Sequence, residues 1–277
     1  MASLLVLRSH MIAIAALISL LLTTCHCFNP KLFNVSTADS DSGAWLAGGA
    51  TWYGAANGDG SEGGACGFKD IVGKAPINSL IAAGGPSLYN SGKSCGACYE
   101  VKCESTANAA CSGNSVTVVI TDECPAGGAC SAEAAHFDLS GTAFGDLAVS
   151  GQSETLRNAG VLKIQYRRVQ CKYPGQNLNF QVDAGSNKNY LAVLATYVDG
   201  AGDVAKLELQ EAGSTTWESM DQSWGDVYKA NAASSSGFTF PVSLRLTTDS
   251  GQSVVAKNII PADWTAGQTY TATVNVV

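Results

Sequence analysis

The sequence predicts an all-β protein built in two parts, and three observations carry that prediction. Only 14% of the 277 residues are charged against 46% hydrophobic, with 30 glycines, which leaves little material for long solvated helices or coiled coils. Short runs of β-branched and aromatic residues recur along the chain between turn-forming clusters. Beyond residue 27 the cysteines are confined to positions 66–171, so a disulfide-bearing half precedes a disulfide-free one.

The elements follow in order. Residues 1–10 carry one basic side chain, Arg8, and 11–22 are apolar apart from Ser19, before Thr23, Thr24, Cys25, His26 and Cys27. That is the pattern of a secretory signal peptide over 1–27, cut between Thr24 and Phe28. Its apolar run falls short of the roughly 20 residues a membrane span needs, and no later run is long enough. The protein is therefore expected to be secreted. Residues 28–44 read as a flexible N-terminal extension, with an Asn34-Val35-Ser36 sequon expected to be glycosylated.

The first domain is expected over 45–172, with strands at 99–103, 115–121 (SVTVVIT) and 161–170 (VLKIQYRRVQ). One short helix over 140–144 would take Ser140 as its N-cap. Tyr173-Pro174-Gly175-Gln176 marks a turn in a 173–177 linker. The second domain, 178–277, offers strands at 179–182, 191–198, 205–210, 238–247, 253–258 and 270–277, separated by turn clusters at 199–203 and 248–251. Regular short strands without helix, over about 100 residues, suggest a β-sandwich.

Composition removes several function classes. The formal charge is −7, from 16 basic and 23 acidic residues, which excludes binding to a phosphate backbone as the main activity and so argues against a nucleic-acid partner. Loss of 1–27 removes Cys25, Cys27, His10 and His26, leaving eight cysteines and a single histidine, His136. The even count suggests four disulfides. One histidine leaves no His-pair zinc site and little scope for a Ser-His-Asp enzyme, and no metal or cofactor is expected. Cys95-Gly96-Ala97-Cys98 could be a redox pair or half a zinc site, but its flanks read as loop then strand, and Cys103 and Cys111 are too far apart to supply a second C-x-x-C. In an oxidising compartment structural disulfides are the better reading.

Three runs could carry chemistry: Thr51-Trp52-Tyr53-Gly54, 119–124 (VITDEC) and His136-Phe137-Asp138-Leu139. Asp122 ends an apolar strand and Asp138 sits in an apolar frame, contexts that raise a carboxyl's proton affinity. Trp52 and Tyr53, if exposed beside them, would make a platform for the C–H face of a sugar. The alternative stays open: both aspartates could accept backbone hydrogen bonds in turns, with Trp52 in the core.

Thr51-Trp52-Tyr53-Gly54, Gly63-Gly64-Ala65-Cys66-Gly67, Cys95-Gly96-Ala97-Cys98-Tyr99, His136-Phe137-Asp138-Leu139-Ser140, the 186–192 run SNKNYLA and Ser223-Trp224-Gly225, in this order, resemble plant expansins. The Cys171-Lys172-Tyr173-Pro174 join and the cysteine spacing look like the β-expansin branch, related to group-1 grass pollen allergens. The resemblance spans about residues 45 to 275. It implies a six-stranded double-psi β-barrel, similar to endoglucanases of glycoside hydrolase family 45, followed by an immunoglobulin-like carbohydrate-binding β-sandwich. Thr51, Trp52, Tyr53, Asp122, His136 and Asp138 would then line a groove, extended by Tyr190 and Trp224, with Asn187, Ser223, Lys229 and Arg168 as weaker candidates. The implied pairings are Cys66–Cys95, Cys98–Cys171 and Cys103–Cys111, and by elimination Cys124–Cys130.

The implied activity is loosening of cell walls: binding wall polysaccharides, cellulose, xylan or other matrix glycans, and disrupting non-covalent contacts between microfibrils and matrix without hydrolysis. Inverting hydrolases need two carboxylates roughly 6.5–9.5 Å apart. Asp138 corresponds to their acid. Their base directly follows an N-terminal aromatic pair, where this chain has Gly54-Ala55-Ala56, so hydrolysis is not expected. The alternatives are a weak endoglucanase or lytic polysaccharide-cleaving enzyme using Asp138, or a binding module without loosening activity. A net acidic monomer should recognise glycans by stacking and hydrogen bonding, with weak salt dependence.

Overall fold

The computed structural model describes residues 43–276; the expected signal peptide, Asn34 and nearly all of the expected extension lie outside the described residues. Among the described residues no helix is long and apolar enough to cross a membrane.

The first part is a closed barrel of six strands: β1 (Leu46–Tyr53), β2 (Ile81–Gly84), β3 (Cys98–Lys102), β4 (Ser115–Glu123), β5 (His136–Ser140) and β6 (Leu162–Val169), in spatial order β1-β5-β2-β4-β3-β6. Two pairs, β1/β5 and β2/β4, run parallel, and the rest are antiparallel. Alternation sends Ala50, Val101, Val118, Ile120, Phe137, Leu139 and Ile164 into the core. There the rings of Tyr99, Phe137 and Tyr166 meet at centroid distances of 5.1–6.1 Å, a tilted arrangement that aromatic quadrupoles favour.

Strand β1 is poor in β-formers because small residues are required there. A Cβ on Gly49 would lie 2.3 Å from the Glu133 carboxylate, and one on Gly48 2.9 Å from the Ala135 carbonyl. Three short helices accompany the barrel: α1 (Pro86–Tyr89), α2 (Gly141–Asp146) and α3 (Ser153–Arg157). Ser140 caps α2 as expected, its Oγ accepting from the Ala143 amide at 3.0 Å. Disulfides join Cys66–Cys95, Cys98–Cys171, Cys103–Cys111 and Cys124–Cys130.

The second part is a β-sandwich of two antiparallel sheets. The strands are β7 (Asn179–Val182), β8 (Tyr190–Thr196), β9 (Val204–Gln210), β10 (Glu218–Ser219), β11 (Asp221–Trp224), β12 (Val227–Asn231), β13 (Val242–Thr248), β14 (Ser253–Ile260) and β15 (Thr269–Thr271). One sheet is ordered β10-β9-β13-β14 and the other β11-β12-β8-β7-β15. Phe180, Leu191, Val193, Leu207, Leu209, Leu244 and Leu246 are fully buried between them. The opposite face of β8, Ala192 and Leu194, together with Tyr197 and Val227, joins the barrel's apolar cluster.

The connection between the two parts is firmly held. Pro174-Gly175 makes the expected turn, with the Gln176 amide donating to the Tyr173 carbonyl at 3.0 Å and Gly175 at φ 78°. Tyr173 itself is buried, its ring 5.5 Å from that of Tyr197 and its amide donating to Asp199. Cys171 exchanges backbone hydrogen bonds with Gly200. Arg168, at the end of β6, reaches into the sandwich to bind Asp203 at 2.9 Å and the Ala201 carbonyl at 2.7 Å.

Candidate functional site

The register of the barrel builds a row of side chains across four strands. Thr51 on β1 stands opposite Asp138 on β5, Asp138 opposite Ala83 on β2, and Ala83 opposite Asp122 on β4. The two aspartates thus flank a small alanine, with backbones two strand spacings, about 10 Å, apart. Because β1 and β5 run parallel, His136 lies opposite Gly49, one step behind Asp138 on the same face.

Asp138 accepts a hydrogen bond from Thr51 Oγ1 at 2.6 Å, and the same hydroxyl contacts His136 Nε2 at 2.9 Å. His136 is buried, and its Nδ1 faces the Glu133 carboxylate at 3.2 Å. Burial raises the pKa of the half-buried Asp138 above the ordinary carboxyl range, the more so because Asp122 is near; the Thr51 hydrogen bond and His136 oppose the rise. Tyr53 is pushed strongly upward by burial and by Asp122 and Asp138, so its phenol stays neutral. Its hydroxyl is buried near Asp122 without reaching hydrogen-bond geometry. Asp122 is tied by one oxygen to two backbone donors, Ala65 N at 2.7 Å and Glu123 N at 2.8 Å. For Asp122 the turn-capping reading is part of the answer.

Trp52 is half-buried against the barrel core, its indole N–H donating to the Arg157 carbonyl at 3.1 Å and the Arg157 guanidinium lying 6.0 Å from its ring. Tyr53 lies over Gly60, where a Cβ would stand 2.6 Å from the ring. The 54–60 loop is also tight at Gly54, which has φ 77° and whose Cβ would meet the Gly60 carbonyl at 2.6 Å. A side chain there is strained and has no room.

From Asp122 a chain of contacts continues into the sandwich. Ala65, which donates to Asp122, begins a segment that runs through Cys66 to Gly67. The β11–β12 turn sits on it, with the Asp226 amide donating to the Cys66 carbonyl at 3.2 Å. A Cβ on Gly67 would lie 2.9 Å from the Trp224 ring, so glycine lets the indole approach the barrel closely. Trp224 remains 49% exposed, the only large aromatic among the exposed hydrophobics of the described residues. Tyr190, at the start of β8, packs partly on the barrel-side cluster. Asn187 pairs with its backbone at 2.8 and 3.1 Å and so sets the turn that precedes it. Of the weaker candidates, Ser223 adjoins Trp224 on β11 and Lys229, on β12, stands opposite Asp221, both half-buried. Arg168 is committed to Asp203 and Ala201 at the junction, a structural tie.

Two residues here were not singled out by the sequence reading. Glu133 precedes β5 in a loop without any motif; its spacing three before His136 was the one local sign. Arg157 is over a hundred positions from Trp52 and carries no local signal.

Comparison with known proteins shows the family and the fold. Residues 178–261 match the family model described as expansin C-terminal domain, and residues 81–166 match one described as lytic transglycolase. The chain is 53% identical over 262 residues to putative expansin-B2 of Arabidopsis thaliana, covering 94% of this chain and 93% of that one. It is 56% identical over 231 residues to expansin-B11 of Oryza sativa subsp. japonica, covering 83% and 78%. The fold matches the crystal structure of apo expansin from Clavibacter michiganensis, with TM-score 0.62 at 19% identity over 84% of this chain and 98% of that one. A mutant of that protein, solved in complex with cellohexaose, matches equally well.

Proposed function

This chain belongs to the expansin family, and from that premise we propose that it loosens plant cell walls by gripping a glycan along one surface that runs from Thr51 to Trp224. The observation that carries the reading is continuity. Asp138, Ala83 and Asp122 lie in register across the barrel, Ala65 donates to Asp122, and Trp224 lies on Gly67 of the same segment. One extended glycan can meet carboxyl groups at one end and an exposed indole at the other. The cellohexaose held by a distantly similar bacterial expansin supports a β-glucan as ligand.

Asp138 is the group placed to grip. Its raised proton affinity keeps a carboxyl proton available for donation to a glycan oxygen under mildly acid conditions. Binding of this kind displaces the glycan from a neighbouring chain without cleaving it. Gly54 supports the non-hydrolytic reading, since its positive φ and contact with Gly60 leave no place for the base that an inverting hydrolase would carry after its aromatic pair. The protein is proposed to act outside the cell as a monomer, on cellulose and matrix glycans such as xylan.

The test is mechanical. Heat-inactivated wall strips under constant load should creep when the protein is added, and D138N should not support creep while folding normally. Creep with D138N at the wild-type rate would remove Asp138 from the mechanism. Sustained release of reducing or anhydro ends from cellulose or xylan would replace the reading with a lytic one, which the family-model match over residues 81–166 makes the relevant alternative.

A further inference from the structure

The contacts around Thr51 admit two proton arrangements. Thr51 has one hydroxyl proton and two polar neighbours, Asp138 Oδ1 at 2.6 Å and His136 Nε2 at 2.9 Å. Beyond the imidazole, Nδ1 faces Glu133 Oε2 at 3.2 Å. An ionised carboxylate only accepts, so Nδ1 carries its proton in both arrangements. In the first, Thr51 donates to an ionised Asp138 and receives the Nε2–H of a charged imidazolium. In the second, a protonated Asp138 donates to Thr51, which donates to the bare Nε2 of a neutral ring.

One step connects them. The O–H bond at Asp138 breaks as another forms at Thr51 Oγ1, while the original Thr51 O–H bond breaks as an N–H bond forms at His136 Nε2. The neutral pair becomes a carboxylate and an imidazolium, and nothing else is consumed.

Resting on the wall-loosening reading, we infer that Glu133 is a positioning residue: its carboxylate holds the shared proton on the His136 side of Thr51 and so sets whether Asp138 meets a glycan as a charged carboxylate or as a neutral carboxyl group. The fold has made room for it. Glu133 Oε2 occupies the place a Cβ on Gly49 would take, 2.3 Å from it. His136 is sealed, with its side chain 0% exposed, while that of Glu133 is 33% exposed, so the chain of contacts joins the surface to Asp138.

The other groups facing this chain come from each neighbouring strand. Strand β1 gives Tyr53, which lies near Asp59; β4 gives Asp122; β2 gives only Ala83. On β6, the exposed Lys163 stands opposite Gly49. A charged His136 lowers the proton affinity of Asp138. Losing Glu133 weakens that charge, so Asp138 keeps its proton to higher pH.

The experiment uses the secreted chain, in which His136 is the only histidine beyond residue 27, so its ring nitrogens give unambiguous nitrogen NMR signals. At neutral pH the wild type should show both ring N–H groups and E133Q only the Nδ1–H, with E133D restoring both. The pH midpoint of cellohexaose binding should move up by about one unit in E133Q, roughly tenfold in affinity at an intermediate pH. The same ring pattern and the same midpoint in wild type and E133Q would overturn the inference. Should E133Q fail to fold, T51V decides: cellohexaose should shift the His136 signals in wild type but not in T51V, and an equal response in both overturns the relay. The ring pattern does not depend on wall creep, so a ring that responds to E133Q in a protein without creep would sink the loosening reading and leave the relay standing.

Discussion

Replacing Trp224 by alanine is expected to weaken binding to insoluble cellulose about tenfold. The indole is 49% exposed, the rest resting on Gly67 and the β11–β12 turn. Of the roughly 240 Å² that a tryptophan can bury, about half is therefore free, and a glycan stacked on one face covers about half of that again. At about 25 cal/mol per Å², some 60 Å² of apolar contact contributes about 1.5 kcal/mol, which is about tenfold in affinity. The assay is a depletion isotherm on cellulose, with thermal unfolding measured beside it. The exposed half of the ring contributes nothing to folding, but the buried half, roughly 120 Å² at about 25 cal/mol per Å², contributes up to about 3 kcal/mol, so the melting temperature should fall by several degrees while the protein still folds. A change in affinity below about threefold with normal folding would refute the stacking argument, since it would mean that the free face of Trp224 meets no sugar.

Other expected outcomes concern the junction and the charge. R168M should destabilise the protein by about 3 kcal/mol near neutral pH, because it strands Asp203, whose side chain is 3% exposed, without its partner. That loss should shrink at acid pH, where Asp203 can take up a proton; a pH-independent loss would contradict the assignment. Asp226 is fully buried beside Asp203, and burial holds its pKa well above the ordinary range. Its folded state binds the proton more tightly than the unfolded chain, so stability should fall as pH rises above about 4 towards that raised value. D226N should remove this decline in a series of melting curves, and parallel curves for the two proteins would count against it. With a net charge of −7, cellulose binding should change less than about twofold on adding 0.5 M salt, roughly, because stacking and hydrogen bonding are little screened; a steep loss would point to ionic recognition.

Much of the fold was legible locally. Strands β4 and β6 carry β-branched and aromatic runs, and the sandwich strands alternate between turn clusters, so their places follow from side-chain shape. Strands β1, β2 and β5 were not legible in this way. LAGGATWY and IAAG are rich in small residues; in β1 their presence answers to the close approach of the 133–135 loop, a contact distant in sequence, and in β2 to the helix α1 that folds back on Gly84. The β10–β12 segment was also missed, because its strands are short and polar on one side.

The sequence by itself determined the chemical inventory: eight cysteines and one histidine past residue 27, two aspartates in apolar frames and the tryptophans. These are properties of residue type and near neighbours. Only the tertiary structure decided which of them meet. Parallel pairing of β1 with β5 put Thr51 between His136 and Asp138, the β4 strand end turned Asp122 towards backbone donors, and the packing of Gly225 on Ala65 and Cys66 brought Trp224 onto the barrel. Each depends on strand register or on one backbone lying against another across more than fifty residues. No local pattern encodes such contacts, because their energy comes from groups the chain brings together only on folding.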